Sequence, residues 1–307
     1  MQLLICPTCR TNINSDSISA RCENGHSFKV IDGIVDIMPE VRDQNLMYEE
    51  KYWNDTAEEG WPESIESLNP YMDRKMFEDY QNVCAECIRN EWPDHDKKNM
   101  HIGEIGCGNG SAIAYLENLE FLTVDYVGID ISMNMMRLAK KRPLPTNWNI
   151  LFAKTSGNNC VFRENYFDVI FSISVLHHFD IDKILECISK SLKPNGLFIV
   201  NEPSERNPFA KIGRKLGVGY GVYGFFKNKR KKPLLPQPIT EAASNYQLEL
   251  VYEKGMHFIT WPLYYVLLSV KPPKTLAVGA YNISRFIDSF VSSPSLNYCF
   301  FQVYKKR

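Results

Sequence analysis

The sequence HIGEIGCGNGS, from His101 to Ser111, decides the fold of this chain. The apolar run Met100–Ile105 predicts a buried strand, the glycines predict a tight turn, and the pattern from Ser111 to Leu116 predicts a helix. Glycine has no Cβ, and the first N–H groups of a helix lack partners within it, so a ligand can approach such a turn closely. The spacing is G-x-G-x-G, whereas a dinucleotide fingerprint would have its third glycine at Ser111. The turn predicts a ligand site, with an ordinary tight turn as the alternative.

An acidic residue ends the next predicted strand. Tyr126–Ile129 has the sequence YVGI and is followed by Asp130, twenty positions after Gly110. A carboxylate at this point holds a ribose diol in nucleotide-binding α/β sheets. The turn and the carboxylate together predict a nucleotide-type cofactor.

Four segments resemble, in the right order, the motifs of class I S-adenosylmethionine (SAM) methyltransferases of the type 11 kind. They are EIGCGNG, VGIDIS, FDVIFSISVLHHF (Phe167–Phe179) and LKPNGLFIVNEP (Leu192–Pro203). The resemblance covers roughly residues 48 to 203. It implies an α/β fold, a Rossmann-like doubly wound sheet of seven strands, and methyl transfer from SAM.

The resemblance also implies a cofactor site. Glu104 is expected to bind the methionyl amine, and Asp130 both ribose hydroxyls. Many members have an acid for the adenine after the third strand, here Asn149–Ala153; it is missing, and Ser156 or Asn158 is expected to substitute. The expected cofactor-binding residues are Glu104, Gly106, Cys107, Gly108, Gly110, Asp130, Ile131, Ser156 and Ser172.

The candidate catalytic residues follow the fourth and fifth predicted strands, Phe167–Ser172 and Leu197–Asn201. They are His177, His178 and Glu202. Open α/β sheets bind ligands at this edge, and histidine can act as a general base near neutral pH. The alternative is that one histidine caps a helix, the other contacts the cofactor backbone, and the glutamate is structural.

The N-terminal segment has metal-ligand spacing. A C-x2-C pair, Cys6 and Cys9, is followed after twelve residues by C-x3-H, Cys22 and His26. Two such knuckles can close a tetrahedron around zinc, which would supply folding energy to a segment too short for its own core. Cys6–Pro39 resembles the zinc ribbon of rRNA guanine methyltransferases and the zinc-binding activator of tRNA methyltransferases, which implies a structural or substrate-facing zinc. The alternative is two buried cysteines with unrelated neighbours.

The sequence predicts five parts of the chain. They are a zinc-ribbon-like domain (1–40), linker and cofactor-capping helices (41–98), the SAM-binding core (99–256), an apolar lid insertion (257–297) and a terminal strand (298–307). Tyr48 and Tyr52 are expected to cap the cofactor, or alternatively to pack the ribbon onto the core. The insertion is expected to be a lid over the acceptor or an interfacial helix pair. The terminal strand is expected to run antiparallel.

Net charge, apolar runs and cysteine content limit the functions that are possible. A net charge of −1 over 307 residues gives no general attraction for nucleic acid. No apolar run reaches the ~18 residues of a membrane span, and the N-terminus MQLLICPTCR lacks the features of a signal peptide. Nine cysteines, four of them in two C-x-x-C pairs, suit a reducing compartment, so a cytoplasmic protein is expected.

Three functions remain open. The apolar insertion and the histidine pair favour O-methylation of a small-molecule, glycan or lipid-linked acceptor, with methylation on carbon as the lesser alternative. The zinc ribbon and a basic run favour RNA, although Ser172-Ile173-Ser174-Val175 replaces the Asn/Asp-Pro-Pro-aromatic signature of adenine or glutamine N-methyltransferases. A SAM-fold binding protein without catalysis is the third. Between Arg206 and Lys232 there are nine basic residues and no acid, ending in Lys227–Lys232, which could face a membrane, a phosphate or solvent.

Overall fold

The computed structural model describes residues 2–16, 18–39, 42–59, 70–94, 98–116, 119–159, 161–216, 234–270 and 272–307. The strands in these ranges are β1 (Leu4–Ile5), β2 (Asn12–Ser15), β3 (Ala20–Cys22), β4 (Ser27–Ile31), β5 (Ile34–Asp36), β6 (Asn99–Ile105), β7 (Thr123–Asp130), β8 (Trp148–Lys154), β9 (Phe167–Ile173), β10 (Leu192–Pro203), β11 (Leu248–Met256) and β12 (Cys299–Lys306). The helices are α1 (Gln44–Glu58), α2 (Pro70–Glu91), α3 (Ser111–Tyr115), α4 (Met133–Lys141), α5 (Ile181–Ser191), α6 (Pro208–Leu216), α7 (Pro236–Ser244), α8 (Thr260–Val270) and α9 (Lys274–Asp288).

These strands form one sheet in the order β1-β2-β3-β4-β5-β8-β7-β6-β9-β10-β12-β11. Strands β8, β7, β6, β9 and β10 are parallel, and β12 lies antiparallel between β10 and β11. This confirms the Rossmann-like arrangement and the antiparallel terminal strand. The strand order reverses between β6 and β9, so the crevice where such sheets bind ligands lies at their carboxyl ends.

The expected count of seven strands is wrong, because the N-terminal segment joins the sheet. β5 pairs in parallel with β8, in the register Ile34↔Phe152, Val35↔Ala153 and Asp36↔Lys154. Without this partner, β8 would be an exposed edge of the sheet. Strands β1 to β5 of the N-terminal segment therefore extend the described sheet of the core to twelve strands.

Local sequence explains the helix that follows β7. Ser132 Oγ accepts a hydrogen bond from the backbone N–H of Met135 at 3.1 Å, so it caps α4. The predicted helix Met133–Lys141 is confirmed at both ends. Buried apolar residues cover both faces of the sheet, which accounts for the near-continuous apolar runs of its central strands.

The apolar insertion forms the two helices α8 and α9, which pack on each other. Arg285 of α9 makes a two-pronged ion pair with Asp79 of α2, with Nη2 2.8 Å from Oδ1. Trp261 Nε1 of α8 donates to Tyr80 Oη at 2.9 Å, and Tyr281 Oη donates to the carbonyl oxygen of Met72 at 3.2 Å. The helix pair is thus held on α2; its role as a lid stays a prediction.

Two further predictions concern the basic run and a membrane-spanning helix. The basic run 227–232 lies outside the described residues. Across the ranges that are described, no helix combines the length and apolar character needed to cross a bilayer.

Candidate active site

The glycine turn after β6 has a backbone that only glycine adopts readily. Gly106, Gly108 and Gly110 have φ angles of 69°, 49° and 80°. A Cβ on Gly106 would lie 2.4 Å from Cγ2 of Val175, so the turn also needs the missing side chain for packing. The N–H groups of Gly106 and Cys107 donate to the carbonyl oxygen of Ile129 at 2.8 and 3.0 Å, which fixes the turn against β7.

Asp130 at the end of β7 faces the same turn. Its Oδ2 accepts from the N–H of Gly108 at 2.8 Å, and its Oδ1 accepts from the N–H of Ser132 at 2.8 Å. Burial raises the pKa of this carboxyl above its ordinary value, and the two N–H donors counteract the effect. The carboxylate is therefore held in a fixed orientation where a ribose diol is expected.

A cavity of about 520 Å³ opens at this edge of the sheet. Eight predicted site residues line it: Glu104, Gly106, Cys107, Gly108, Asp130, Ile131, Ser156 and His178. Asn158, the other candidate for the missing adenine acid, lines it as well. The volume lies in the range of small-molecule and cofactor pockets. Gly110, Ser172, His177 and Glu202 are not among the described residues that line the cavity.

Glu104 lies on the cavity floor and is 1% exposed. The hydroxyl of Tyr126 donates a hydrogen bond to its Oε2. The glycine turn leaves room for a ligand to lie close to the protein backbone. The fixed Asp130 and the deep Glu104 carboxylate fit the ribose and the amine of SAM.

Glu202 and His177 lie behind the cavity. Glu202 is fully buried, and its Oε1 accepts from the N–H groups of Val175 and Leu176 at 2.7 and 2.6 Å. Its Oε2 is 2.7 Å from Nδ1 of His177. This corrects the expectation that Glu202 and His177 face an acceptor, because both hold the turn that follows β9. Ser172 is also buried below the cavity, inside the strand.

His178 lies in the cavity wall. Its Nδ1 is 3.2 Å from Oε2 of Glu49, and its ring meets the edge of Trp53 with centroids 6.2 Å apart. Glu49 and Trp53 belong to α1, which is fixed to the core where Asn54 Oδ1 accepts from Ser132 Oγ at 2.8 Å. α1 therefore brings a carboxylate to a histidine more than a hundred residues away in the chain.

The wall that α1 forms differs from the sequence prediction. The lining residues of this segment are Asp43, Asn45, Leu46, Glu49 and Trp53. Tyr48 and Tyr52 are not among them; their rings stack on each other at 6.4 Å, and Tyr48 is 43% exposed. Helical spacing could have indicated the right face, since Leu46, Glu49 and Trp53 are three and four positions apart.

The cavity is acidic. Of its described lining residues, five are acids (Asp43, Glu49, Glu104, Asp130 and Asp180) and none is lysine or arginine. Such a lining attracts cations, accommodates neutral polar groups that can donate hydrogen bonds, and repels phosphates.

Cys6, Cys9, Cys22 and His26 form one cluster whose ligand atoms all lie within 4.8 Å of one another. Sγ of Cys9 is 3.6 Å from Sγ of Cys22, and Nδ1 of His26 is 3.6, 3.5 and 3.3 Å from the three sulfurs. Tetrahedral zinc with ordinary bond lengths separates its sulfur and nitrogen ligands by about 3.5–3.8 Å. A hydrogen bond from Thr11 lowers the pKa of the Cys9 thiol to about 6, which favours the thiolate that binds metal. The donor set and its spacing fit zinc.

Comparison with known proteins finds similarity over the part of the chain that carries the glycine turn, Asp130 and His178. Residues 103–200 match the family model described as a methyltransferase domain. The chain is 26% identical over 182 residues to a ubiquinone biosynthesis O-methyltransferase of Bartonella tribocorum, covering 58% of this chain and 72% of that protein. It is 30% identical over 131 residues to phosphoethanolamine N-methyltransferase 1 of Arabidopsis thaliana, covering 41% of this chain but 26% of that protein.

Solved structures share the fold. Geranyl diphosphate C-methyltransferase from Streptomyces coelicolor A3(2) has a TM-score of 0.54 at 13% identity, covering 88% of this chain and 100% of that one. Magnesium protoporphyrin IX methyltransferase from Synechocystis PCC 6803 has a TM-score of 0.53 at 13% identity, covering 85% and 99%. Since the family match runs from the strand before the glycine turn to the strand beyond the histidines, and the sequence relatives are methyltransferases, this chain is a SAM-dependent methyltransferase.

Proposed function

We propose that this enzyme methylates a hydroxyl oxygen of a small molecule, a glycan or a lipid-linked intermediate that is uncharged near the reacting group. The observation that carries the proposal is the acidic cavity with a single described histidine in its wall, His178. An anionic acceptor such as RNA would bring phosphates toward Asp43, Glu49 and Asp180, the lining acids that this proposal does not assign to the cofactor. The relative named for O-methylation in ubiquinone biosynthesis supports an oxygen acceptor.

The residues divide the work between the cofactor and the acceptor. SAM supplies an electrophilic methyl group on a sulfonium. In this proposal Glu104 binds the amine and Asp130 binds the ribose hydroxyls. The turn at Gly106 and Gly108 lets the cofactor lie close to the protein backbone. Their main effect on rate is alignment, because a well-oriented pair of reactants avoids most of the entropic cost of meeting.

His178 removes the proton from the acceptor hydroxyl in this proposal. Because Glu49 Oε2 lies 3.2 Å from Nδ1, Nε2 is the ring nitrogen that takes the proton in this proposal. A carboxylate in this position fixes the ring and stabilises the imidazolium that forms as the proton is taken. Glu202 and His177 contribute indirectly, by holding the turn on which His178 stands.

The direct test is to incubate the protein with tritiated SAM and a cell extract separated into small-molecule, lipid and RNA pools. We expect label in the small-molecule or lipid pool. Label confined to RNA would establish the alternative acceptor. If S-adenosylhomocysteine binds but no pool becomes labelled, the chain is a binding protein and the proposal fails.

The Glu49→Gln variant tests the role of the histidine pair. Once an acceptor is known, we expect kcat to fall about tenfold, which is less than the full contribution of a general base because His178 itself remains. The rising limb of the pH–rate profile should also move to lower pH, because the imidazolium loses the neighbouring negative charge. Asp55→Asn is the matched control, since Asp55 pairs with Lys51 on the exposed side of the same helix. An unchanged profile for Glu49→Gln would show that Glu49 does not act through His178.

We also propose that the Cys6, Cys9, Cys22 and His26 cluster holds one structural zinc ion. Four protein ligands complete a tetrahedron, so no coordination position is left for a substrate. The spacing of the ligand atoms supports this.

A further inference from the structure

Helix α9 has two apolar faces, and only one of them packs against the residues that the structure describes. Ala277, Tyr281 and Ser284 are buried in the face that meets the rest of the protein. The opposite face carries large apolar side chains at helical spacing, which we call the α9 ridge. The α9 ridge consists of Leu276, Ile283, Phe286, Ile287 and, just beyond the helix, Phe290.

The α9 ridge exposes more contiguous apolar surface than is usual for a surface that faces only water. Leu276, Ile283, Phe286 and Phe290 are 65%, 63%, 65% and 74% exposed. The rings of Phe286 and Phe290 meet edge to face at 5.0 Å, so they form a joined apolar surface rather than scattered residues. Contiguous exposed apolar surface of this kind marks a site of contact with a membrane or another protein.

The charges around the α9 ridge identify the partner. From residue 255 to residue 287 the sequence contains no acid. The next acid, Asp288, accepts hydrogen bonds from the N–H groups of Ile259 and Thr260 at 2.8 and 3.3 Å, so it caps α8. Lys274 is exposed at the first turn of α9.

Helix α6, which packs on α8, also combines apolar and basic residues. Its sequence PFAKIGRKL contains three basic residues and no acid. Phe209 and Ile212 of α6 are exposed, as is Lys211 between them. Phe209 contacts Phe258, just before α8, with ring centroids 5.3 Å apart, and α6 packs on α8. Apolar side chains interspersed with lysines and without acids are typical of helices that lie on an anionic bilayer.

We propose that the α9 ridge, together with Lys274 of the same helix, docks on an anionic lipid bilayer, and that Lys211 of α6 contributes to the same surface. The apolar rings enter the headgroup boundary, and the lysines face lipid phosphates. A second copy of the chain fits less well, because two such faces would bring cations together with no acid between them to pair with. This docking is independent of which acceptor the enzyme methylates.

The experiment is co-sedimentation of the purified full chain with vesicles of phosphatidylcholine alone or with phosphatidylglycerol. We expect binding to the phosphatidylglycerol vesicles that weakens at high salt, because salt screens the lysine contribution. Phe286→Ser should weaken binding about tenfold, the effect of withdrawing one half-inserted phenyl ring. Lys274→Gln should weaken it about fivefold.

The matched control is Leu122→Ser, which removes an apolar side chain that is 57% exposed elsewhere on the surface. It should leave vesicle binding unchanged, and all three variants should bind S-adenosylhomocysteine like the unaltered protein. Equal binding to both kinds of vesicle would overturn the role of the lysines. Absence of vesicle binding, with a concentration-dependent dimer in sedimentation velocity that Phe286→Ser abolishes, would show that a second copy covers the α9 ridge instead.

Discussion

Replacing Asp130 with alanine is expected to weaken the binding of S-adenosylhomocysteine about a hundredfold. The substitution removes the acceptor for both ribose hydroxyls and also leaves the N–H groups of Gly108 and Ser132 without their carboxylate partner. Each buried polar group left unpaired costs about 1–3 kcal/mol, and about 1.4 kcal/mol corresponds to tenfold in affinity. Isothermal titration calorimetry measures the change directly.

The control for this prediction lies on the same strand. Asp125→Ala removes an acid from the part of β7 away from the cavity, where Asp125 accepts from Asn149 at 2.8 Å. It should leave the dissociation constant unchanged. Equal affinity of the Asp130→Ala variant and the unaltered protein would mean that Asp130 does not hold the ribose.

The pH dependence of cofactor binding gives a second readout of Asp130. Because burial raises the pKa of this carboxyl, it takes up a proton at a higher pH than an ordinary aspartate. The protonated form loses acceptor capacity toward the two N–H groups and the ribose. Affinity should therefore be constant near neutrality and fall on acidification, and the Asp130→Ala variant should lose this fall.

Local signals explain what could be predicted from the sequence. The glycine turn and the Ser132 cap depend on residues a few positions apart, so the turn and α4 follow from the chain itself. Asp130 follows from its place at the end of a strand, and it lines the cavity as expected. Such features depend on backbone geometry, which neighbouring residues determine.

Contacts between distant segments explain the rest. The pairing of β5 with β8 joins segments more than a hundred residues apart, and three residues of strand carry no signal for their partner. Glu49 and His178 are equally distant, so neither one indicates the other in the sequence. The sequence predicts Glu202 as an active-site acid because it follows a strand at the carboxyl edge of the sheet. Its burial against the turn after β9 depends on tertiary packing, which the sequence does not reveal.

Replacing Cys22 with serine is expected to remove the proposed zinc and to lower the melting temperature by about 5–10 °C. Structural zinc supplies on the order of 10 kcal/mol to small metal-folded units, and a three-ligand site keeps only part of it. The loss should reach the core, because β5 pairs with β8 and the N–H of Ile37 donates to the carbonyl oxygen of Lys154 at 2.8 Å. Thr155 and Ser156 follow directly and line the cavity, so cofactor affinity should also fall.

The measurements for this prediction are elemental analysis, thermal unfolding and cofactor titration on protein purified without added metal. We expect one zinc ion per chain in the unaltered protein and in Thr8→Ser, a control whose exposed side chain lies between the ligands Cys6 and Cys9. Cys22→Ser should contain little zinc and should behave like unaltered protein treated with a chelator. Soluble, folded, unaltered protein with a zinc content near zero would contradict the prediction. The cysteine cluster would then be apolar packing, and the N-terminal segment would be held to the core by β5 and by backbone hydrogen bonds such as that from the N–H of Ile5 to the carbonyl oxygen of Val161 at 2.7 Å.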